Sequence, residues 1–165
     1  MKALQALIGA ASAALLLMAP VTAEPATEKS TTEQTRAVIL SLYEGFKTGD
    51  GAKISNAMSP EIEWNEAEGN PYADGNPYIG LANISKGVFA RLGAEWENWT
   101  TTPTEYVFDG ERAVVFGRYT AKNKATGKPL DTPFIHSYRV VDGKAVSFQQ
   151  YTDTAAQVFA MTPDE

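Results

Sequence analysis

Two Asp-Gly pairs constrain this chain more than any other feature. Asp109-Gly110 and Asp142-Gly143 each stand between runs of alternating apolar and polar residues. Asp-Gly suits the left-handed backbone of a two-residue turn, so each pair is a strong short-range hairpin signal. The runs over 104–108, 113–121, 134–141 and 145–152 therefore read as four strands of one antiparallel meander.

The chain ahead of the strands has a helical period. Ser30-Thr31-Thr32-Glu33 fits a capping box. Val38, Leu42 and Phe46 follow at four-residue spacing, with Ile39 and Tyr43 beside them, and Gly49 closes the stripe. A shorter helix is expected over 51–58, stopped by Pro60, then a strand over 61–66, then a second long helix over 81–96. Between them, residues 67–80 form a loop with Asn-Pro-Tyr at 70–72 and again at 76–78. Helices segregated from an antiparallel sheet give an α+β fold. A bent sheet with helices over its concave face makes a cone around a pocket. No domain boundary falls inside residues 31–161.

If Asp142-Gly143 makes a two-residue turn, His136 faces Gln149, Tyr138 faces Ser147, Phe134 faces Tyr151 and Thr132 faces Asp153. One face then carries Phe134, His136, Tyr138, Gln149 and Tyr151, with Asp153 at its end. Aromatic rings mixed with hydrogen-bonding groups make the wall of a ligand pocket. The opposite face carries Ile135, Arg139 and Phe148 and suits a dimer surface or an outer face. A single β-bulge would exchange the two sets locally.

Three residues are candidate proton carriers. Glu66 is in phase with Ile62 and Trp64 on the strand face expected to be buried, where its pKa would rise. It is otherwise a solvated carboxylate just past the strand end. His136 is the one side chain whose ordinary pKa lies near neutrality; it reads either as a proton shuttle or as a satisfied core histidine. Asp153 reads as a third candidate or as the cap of a last short helix. Trp64 and Phe89, with the loop tyrosines Tyr72 and Tyr78, complete the candidate ligand contacts, although large aromatics also serve as core.

The chain has no cysteine and one histidine. Disulfides, thiolate chemistry and multi-histidine metal sites are excluded. A net charge of −6 makes nucleic acid an unsuitable partner. No Walker loop, dinucleotide fingerprint or nucleophile elbow is present. Residues 1–23 have a basic start at Lys2, an apolar run and Val21-Thr22-Ala23 before Glu24, the pattern of a cleavable export signal. The apolar run is short for a membrane anchor and ends at Pro20. The expected product is a periplasmic or secreted protein without a stable membrane anchor, with residues 24–30 as a flexible lead-in.

Several segments together carry a family likeness: Ile62-Glu63-Trp64 running into Glu66-Ala67-Glu68-Gly69-Asn70-Pro71-Tyr72, Gly87-Val88-Phe89-Ala90-Arg91-Leu92, Phe134-Ile135-His136-Ser137-Tyr138, and Asp142-Gly143-Lys144 leading to Gln150-Tyr151-Thr152-Asp153. They resemble the SnoaL-like polyketide cyclases of the ketosteroid-isomerase-like (nuclear-transport-factor-like) superfamily, over residues 33–161. The resemblance implies a conical α+β barrel, a small-molecule pocket, frequent homodimers, and acid–base chemistry without metal or other cofactor in the enzyme members. Three functions fit: an isomerase, cyclase or dehydratase acting on a small, largely apolar compound; a non-catalytic binding protein; or a dimerisation module with a filled pocket.

Overall fold

The computed structural model describes residues 30–164. The expected export signal and most of the expected lead-in lie outside the described residues. The first helix, α1 (Thr31–Thr48), starts where the capping box places it: Ser30 Oγ accepts from Glu33 N at 3.3 Å, and Gly49 ends it with φ 69°. Its buried stripe is Thr35, Ile39, Leu42 and Tyr43. Asp50 caps α2 (Gly51–Ala57) through Ala52 N and Lys53 N. Strand β1 (Met58–Asn65) then begins earlier than expected. Pro60 does not block it, because the β1–β6 pairing is irregular between Met58 and Glu63 and needs no donor there.

Part of the loop is a strand. β2 (Tyr78–Ile79) pairs antiparallel with β1. The expected long helix is a run of three pieces: α3 (Gly80–Ile84), a π-helical turn (Ser85–Phe89) and α4 (Ala90–Glu95). Trp96 already belongs to β3 (Trp96–Asp109), which is far longer than 104–108. Its β-branched Thr100, Thr101 and Thr102 favour the extended chain. β4 (Arg112–Asn123), β5 (Pro129–Val141) and β6 (Lys144–Thr152) follow, then α5 (Thr154–Met161).

These strands form one curved, unclosed sheet in the order β2-β1-β6-β5-β4-β3. The meander β3–β6 is antiparallel as expected, but β1 joins β6 in parallel, so the sheet is mixed. The fold is α+β. The concave face buries Val115, Tyr119, Phe134, Tyr138 and Phe148 beneath Ile39, Leu42 and Tyr43 of α1. At about 25 cal/mol per Å² of buried apolar surface, rings of this size dominate the stability of such a core. Gly117 makes room for one of them, since a Cβ there would overlap the Phe134 ring and the Thr102 carbonyl oxygen.

The hairpin between β5 and β6 keeps the expected register only next to its turn, where Val141 pairs with Lys144 and Val140 with Ala145. A bulge between Arg139 and Val140 then shifts the partners by one residue. His136 pairs with Gln150, Tyr138 with Phe148 and Phe134 with Thr152. The inner face therefore gains Phe148 and Gln150. Gln149 and Tyr151 move to the outer face, Tyr151 with 56 % of its surface exposed.

Candidate buried polar site

Glu66 follows the last residue of β1 and is 3 % exposed. The Asn-Pro-Tyr repeat holds it from both sides. Asn76 grips its main chain, accepting from Glu66 N at 3.0 Å and donating Nδ2 to Glu66 O at 2.8 Å. Asn70 donates Nδ2 to the carboxylate Oε2 at 3.1 Å, and Trp64 Nε1 donates to Oε1 at 2.7 Å. The tyrosines of the repeat fasten the loop. Tyr78 donates to Tyr72 O at 2.8 Å, and Tyr72 donates to Glu95 Oε2 while accepting from Trp96 Nε1, both at 2.7 Å. Burial pushes the Glu66 carboxyl up to about 7, while the indole N–H of Trp64 and the amide of Gln150 pull it down. Burial wins because these donors are neutral amides and an indole, with no cation among them.

His136 lies at the other end of the same polar chain. Its Nδ1 meets Tyr43 Oη at 2.6 Å, and its Nε2 makes a very short contact with Tyr119 Oη. Tyr138 Oη lies 3.5 Å from Tyr43 Oη. Gln150 links the ends: its Nε2 donates to Tyr119 Oη at 3.1 Å and its Oε1 accepts from Asn70 Nδ2 at 2.7 Å. The order is thus Tyr138, Tyr43, His136, Tyr119, Gln150, Asn70, Glu66 and Trp64. It is not a proton wire, because the amides of Gln150 and Asn70 neither gain nor lose a proton near neutrality. It is a rigid scaffold with a proton-capable group, His136 or Glu66, towards each end. Burial drives the His136 imidazole down to about 3 and raises Tyr43 and Tyr119 well above the usual phenol range. The imidazole is neutral at physiological pH.

Rings surround this scaffold. His136 stacks on Phe134 with centroids 4.1 Å apart, and Trp64 stacks on Phe148 at 3.6 Å. Phe89, half-buried on the π-helical turn, meets both Trp64 and Phe46 edge to face. The structure thus brings together Glu66, His136, Trp64, Phe89, Phe134 and Tyr138. Tyr72 and Tyr78 support the loop instead of facing the scaffold. Asp153 stands apart: it is exposed, and its carboxylate caps α5 by accepting from Ala156 N at 3.0 Å. Gln149 donates to the Gln150 carbonyl on the outer side. Two clefts of the described surface, of about 530 and 310 Å³, lie beside Tyr78 and Lys86 and beside Asn123 and Met161. Neither is lined by Glu66 or His136. Among the described residues, no group of three or more His, Cys, Asp or Glu could hold a metal ion, and no helix is long and apolar enough to cross a membrane.

The sequence reading passed over Tyr43, Asn70, Asn76, Tyr119 and Gln150. Tyr43 belongs to the α1 stripe and Tyr119 is in phase with Ala113 and Val115, so both register as core. The two asparagines had a visible signal in the repeat. Gln150 was hidden by the bulge.

A family model for the SnoaL-like domain matches residues 39–148, more than half of the chain. The chain belongs to the SnoaL-like domain family. An NTF2-like protein from Burkholderia thailandensis is 31 % identical, with a TM-score of 0.75 over 82 % of this chain and 100 % of that one. TerC, crystallised with polyporic acid, is 29 % identical, with a TM-score of 0.70 over 78 % of this chain and 98 % of that one. A proposed SnoaL-like polyketide cyclase from Jannaschia sp. CCS1 shares the fold at 18 % identity and a TM-score of 0.70, over 84 % of this chain and 98 % of that one. No curated protein matches this SnoaL-like domain significantly.

Proposed function

We propose that this chain is an exported SnoaL-like protein that takes a small, largely apolar molecule on its concave face, with Glu66 as the group that moves a proton. The observation carrying this reading is the buried carboxyl of Glu66, oriented by Trp64 and Asn70 and brought to about 7. A carboxyl near neutrality is matched to general acid–base work. Its placement by a dedicated loop adds the orientation that such work needs. The neutral His136 with its tyrosines supplies hydrogen bonds to oxygen, not acid catalysis. TerC, a neighbour of the same fold, has been co-crystallised with polyporic acid, which supports a small-molecule role.

A non-catalytic binding protein is the second reading. It is favoured by His136, both of whose nitrogens are already engaged within a ring-filled interior. Crystals soaked in a mixed small-molecule extract test the shared claim. Density against Trp64 and Glu66 is expected; density confined to the cleft beside Lys86 would overturn it. Incubating the recovered compound with wild-type and Glu66→Gln protein separates the two readings. Turnover lost in the variant supports catalysis, and a compound recovered unchanged from wild type supports binding alone.

The homodimer and export belong to the same proposal. The outer sheet face exposes Val107, Ile135 and Tyr151 between the ion pairs Arg118–Asp131 and Arg139–Glu111, a self-complementary pattern for a second copy. Sedimentation should give a dimer that Tyr151→Glu dissociates; a monomeric wild type rejects it. Export rests on residues 1–23, and N-terminal sequencing of the mature protein should start at Glu24.

A further inference from the structure

The concave face is packed with the chain's own rings. Glu66, Trp64 and Phe148 are each 3 % exposed or less, and neither cleft is lined by them. A molecule can meet Glu66 only when part of the wall moves. A row of rings leads from the surface to the carboxyl. Phe46 and Phe89 are half-buried and meet edge to face at 5.8 Å. Phe89 meets Trp64 in the same way at 5.6 Å, and Trp64 Nε1 holds Glu66 Oε1. Of these rings, Phe89 is carried by an irregular helix. Ala90 N donates to Ser85 O, where an α-helix would pair it with the Lys86 carbonyl. Rewinding Ser85–Phe89 as α changes the rotation per residue, and Phe89, at its end, turns away from Trp64. Short π turns inside α-helices occur frequently at functional sites.

The π form is held from outside. The Tyr78 ring lies against Gly87, where a Cβ would overlap its Cε1. The Tyr78 hydroxyl shares its hydrogen between Tyr72 O at 2.8 Å and Asp74 Oδ1 at 2.9 Å, and accepts from Gly75 N at 3.2 Å. Arg91 closes the clasp: its Nη1 donates to both Asp74 oxygens and to Gly87 O. Asn70 and Asn76 of the same loop hold Glu66, so the turn and the carboxyl share one support. We propose that Ser85–Phe89 is the gate to Glu66. Wound as π, it keeps Phe89 over Trp64; rewound as α, it swings Phe89 aside; Tyr78 in the notch of Gly87 is the latch. This rests on the reading that the concave face takes a small molecule, and it names how that molecule enters.

The chain has three tryptophans, so 5-fluorotryptophan gives three ¹⁹F lines, assigned by single Trp→Phe variants. Relaxation dispersion of the Trp64 line reads the gate on the microsecond-to-millisecond scale. Trp99, whose ring meets Trp96 and Tyr119, is the reference. The expected result is dispersion at Trp64 and a flat profile at Trp99. Tyr78→Phe should raise the open population about fivefold, the worth of one hydrogen bond. Gly87→Ala should raise it further, because its Cβ would displace the Tyr78 ring; Gly93→Ala, where a Cβ meets nothing within 4 Å, should leave it unchanged. Added toluene, a small apolar probe, should move the Trp64 line towards its open-state position. A flat Trp64 profile in wild type and in both latch variants overturns the gate; if toluene still moves the line, the cone reading stands without it. Equal open populations in Tyr78→Phe and Gly93→Ala overturn the latch. Dispersion with a Trp64 line that saturating toluene leaves in place overturns the gate and the cone reading together.

Discussion

Glu66 and His136 lie towards opposite ends of one buried scaffold, and burial moves their pKa values in opposite directions. It raises the carboxyl to about 7 and lowers the imidazole to about 3. In both cases the neutral form is favoured, yet only one group is left able to change charge near neutrality. The difference lies in the charge type: burial lifts a carboxyl from 4.5 towards neutrality and pushes an imidazole from 6.5 away from it. Glu66 faces N–H groups, which can only donate and so favour the anion. His136 faces phenols, which donate or accept and so satisfy the neutral ring at both nitrogens. Burial favours the neutral form of both groups; it brings an acid up to neutrality and carries a base away from it.

The comparison can be broken most forcefully at the rings. Trp64→Ala should cost about 3–5 kcal/mol in urea unfolding, because it removes a buried ring stacked on Phe148 together with one donor to Glu66. Phe134→Ala should cost a similar amount at the His136 end, where it unstacks the imidazole.

The two ends also predict opposite arms of the stability–pH curve. The Glu66 pKa is raised on folding, so the native state holds its proton longer. Stability then falls as pH rises from 4.5 to about 7, by up to about 3 kcal/mol. The His136 pKa is lowered on folding, so the unfolded state takes up the proton first. Stability then falls as pH drops from 6.5 towards about 3, by up to about 5 kcal/mol. The slopes oppose each other between 4.5 and 6.5. Glu66→Gln should remove the alkaline arm and leave the acid arm; loss of both arms, or of neither, would break the comparison. Across pH 5–8 the nitrogen shifts of His136 should stay flat.

Asn70→Ala should raise the Glu66 pKa further, read by the pH at which the alkaline arm levels off, and cost about 1–3 kcal/mol. The smallest effect is expected at Asp153→Ala. Loss of the α5 cap should cost about 1 kcal/mol and leave both arms of the pH curve in place.

Much of this contrast was legible from residue patterns, and the remainder was not for identifiable reasons. The phase of Ile62, Trp64 and Glu66 left the carboxyl either inside or solvated past the strand end, and the Asp142-Gly143 turn put His136 and Tyr138 on one face. Local spacing could not reveal the bulge at Arg139–Val140, which exchanged Gln149 and Tyr151 for Gln150 and Phe148. Nor could it reveal that β1 would return beside β6 in parallel, since that pairing joins residues some eighty positions apart. The repeat of Asn-Pro-Tyr was visible, but its use was not. One asparagine holds a carboxylate and the other a main chain, and only the folded loop separates those roles.

Gly117 has a consequence for inheritance. The ring of Phe134, and the imidazole stacked on it, occupy space that exists only because position 117 has no side chain. The two positions are bound to vary together. A relative that carries alanine at 117 must carry a smaller residue at 134 or give up the stack, so descendants of this fold that keep the histidine should also keep the glycine.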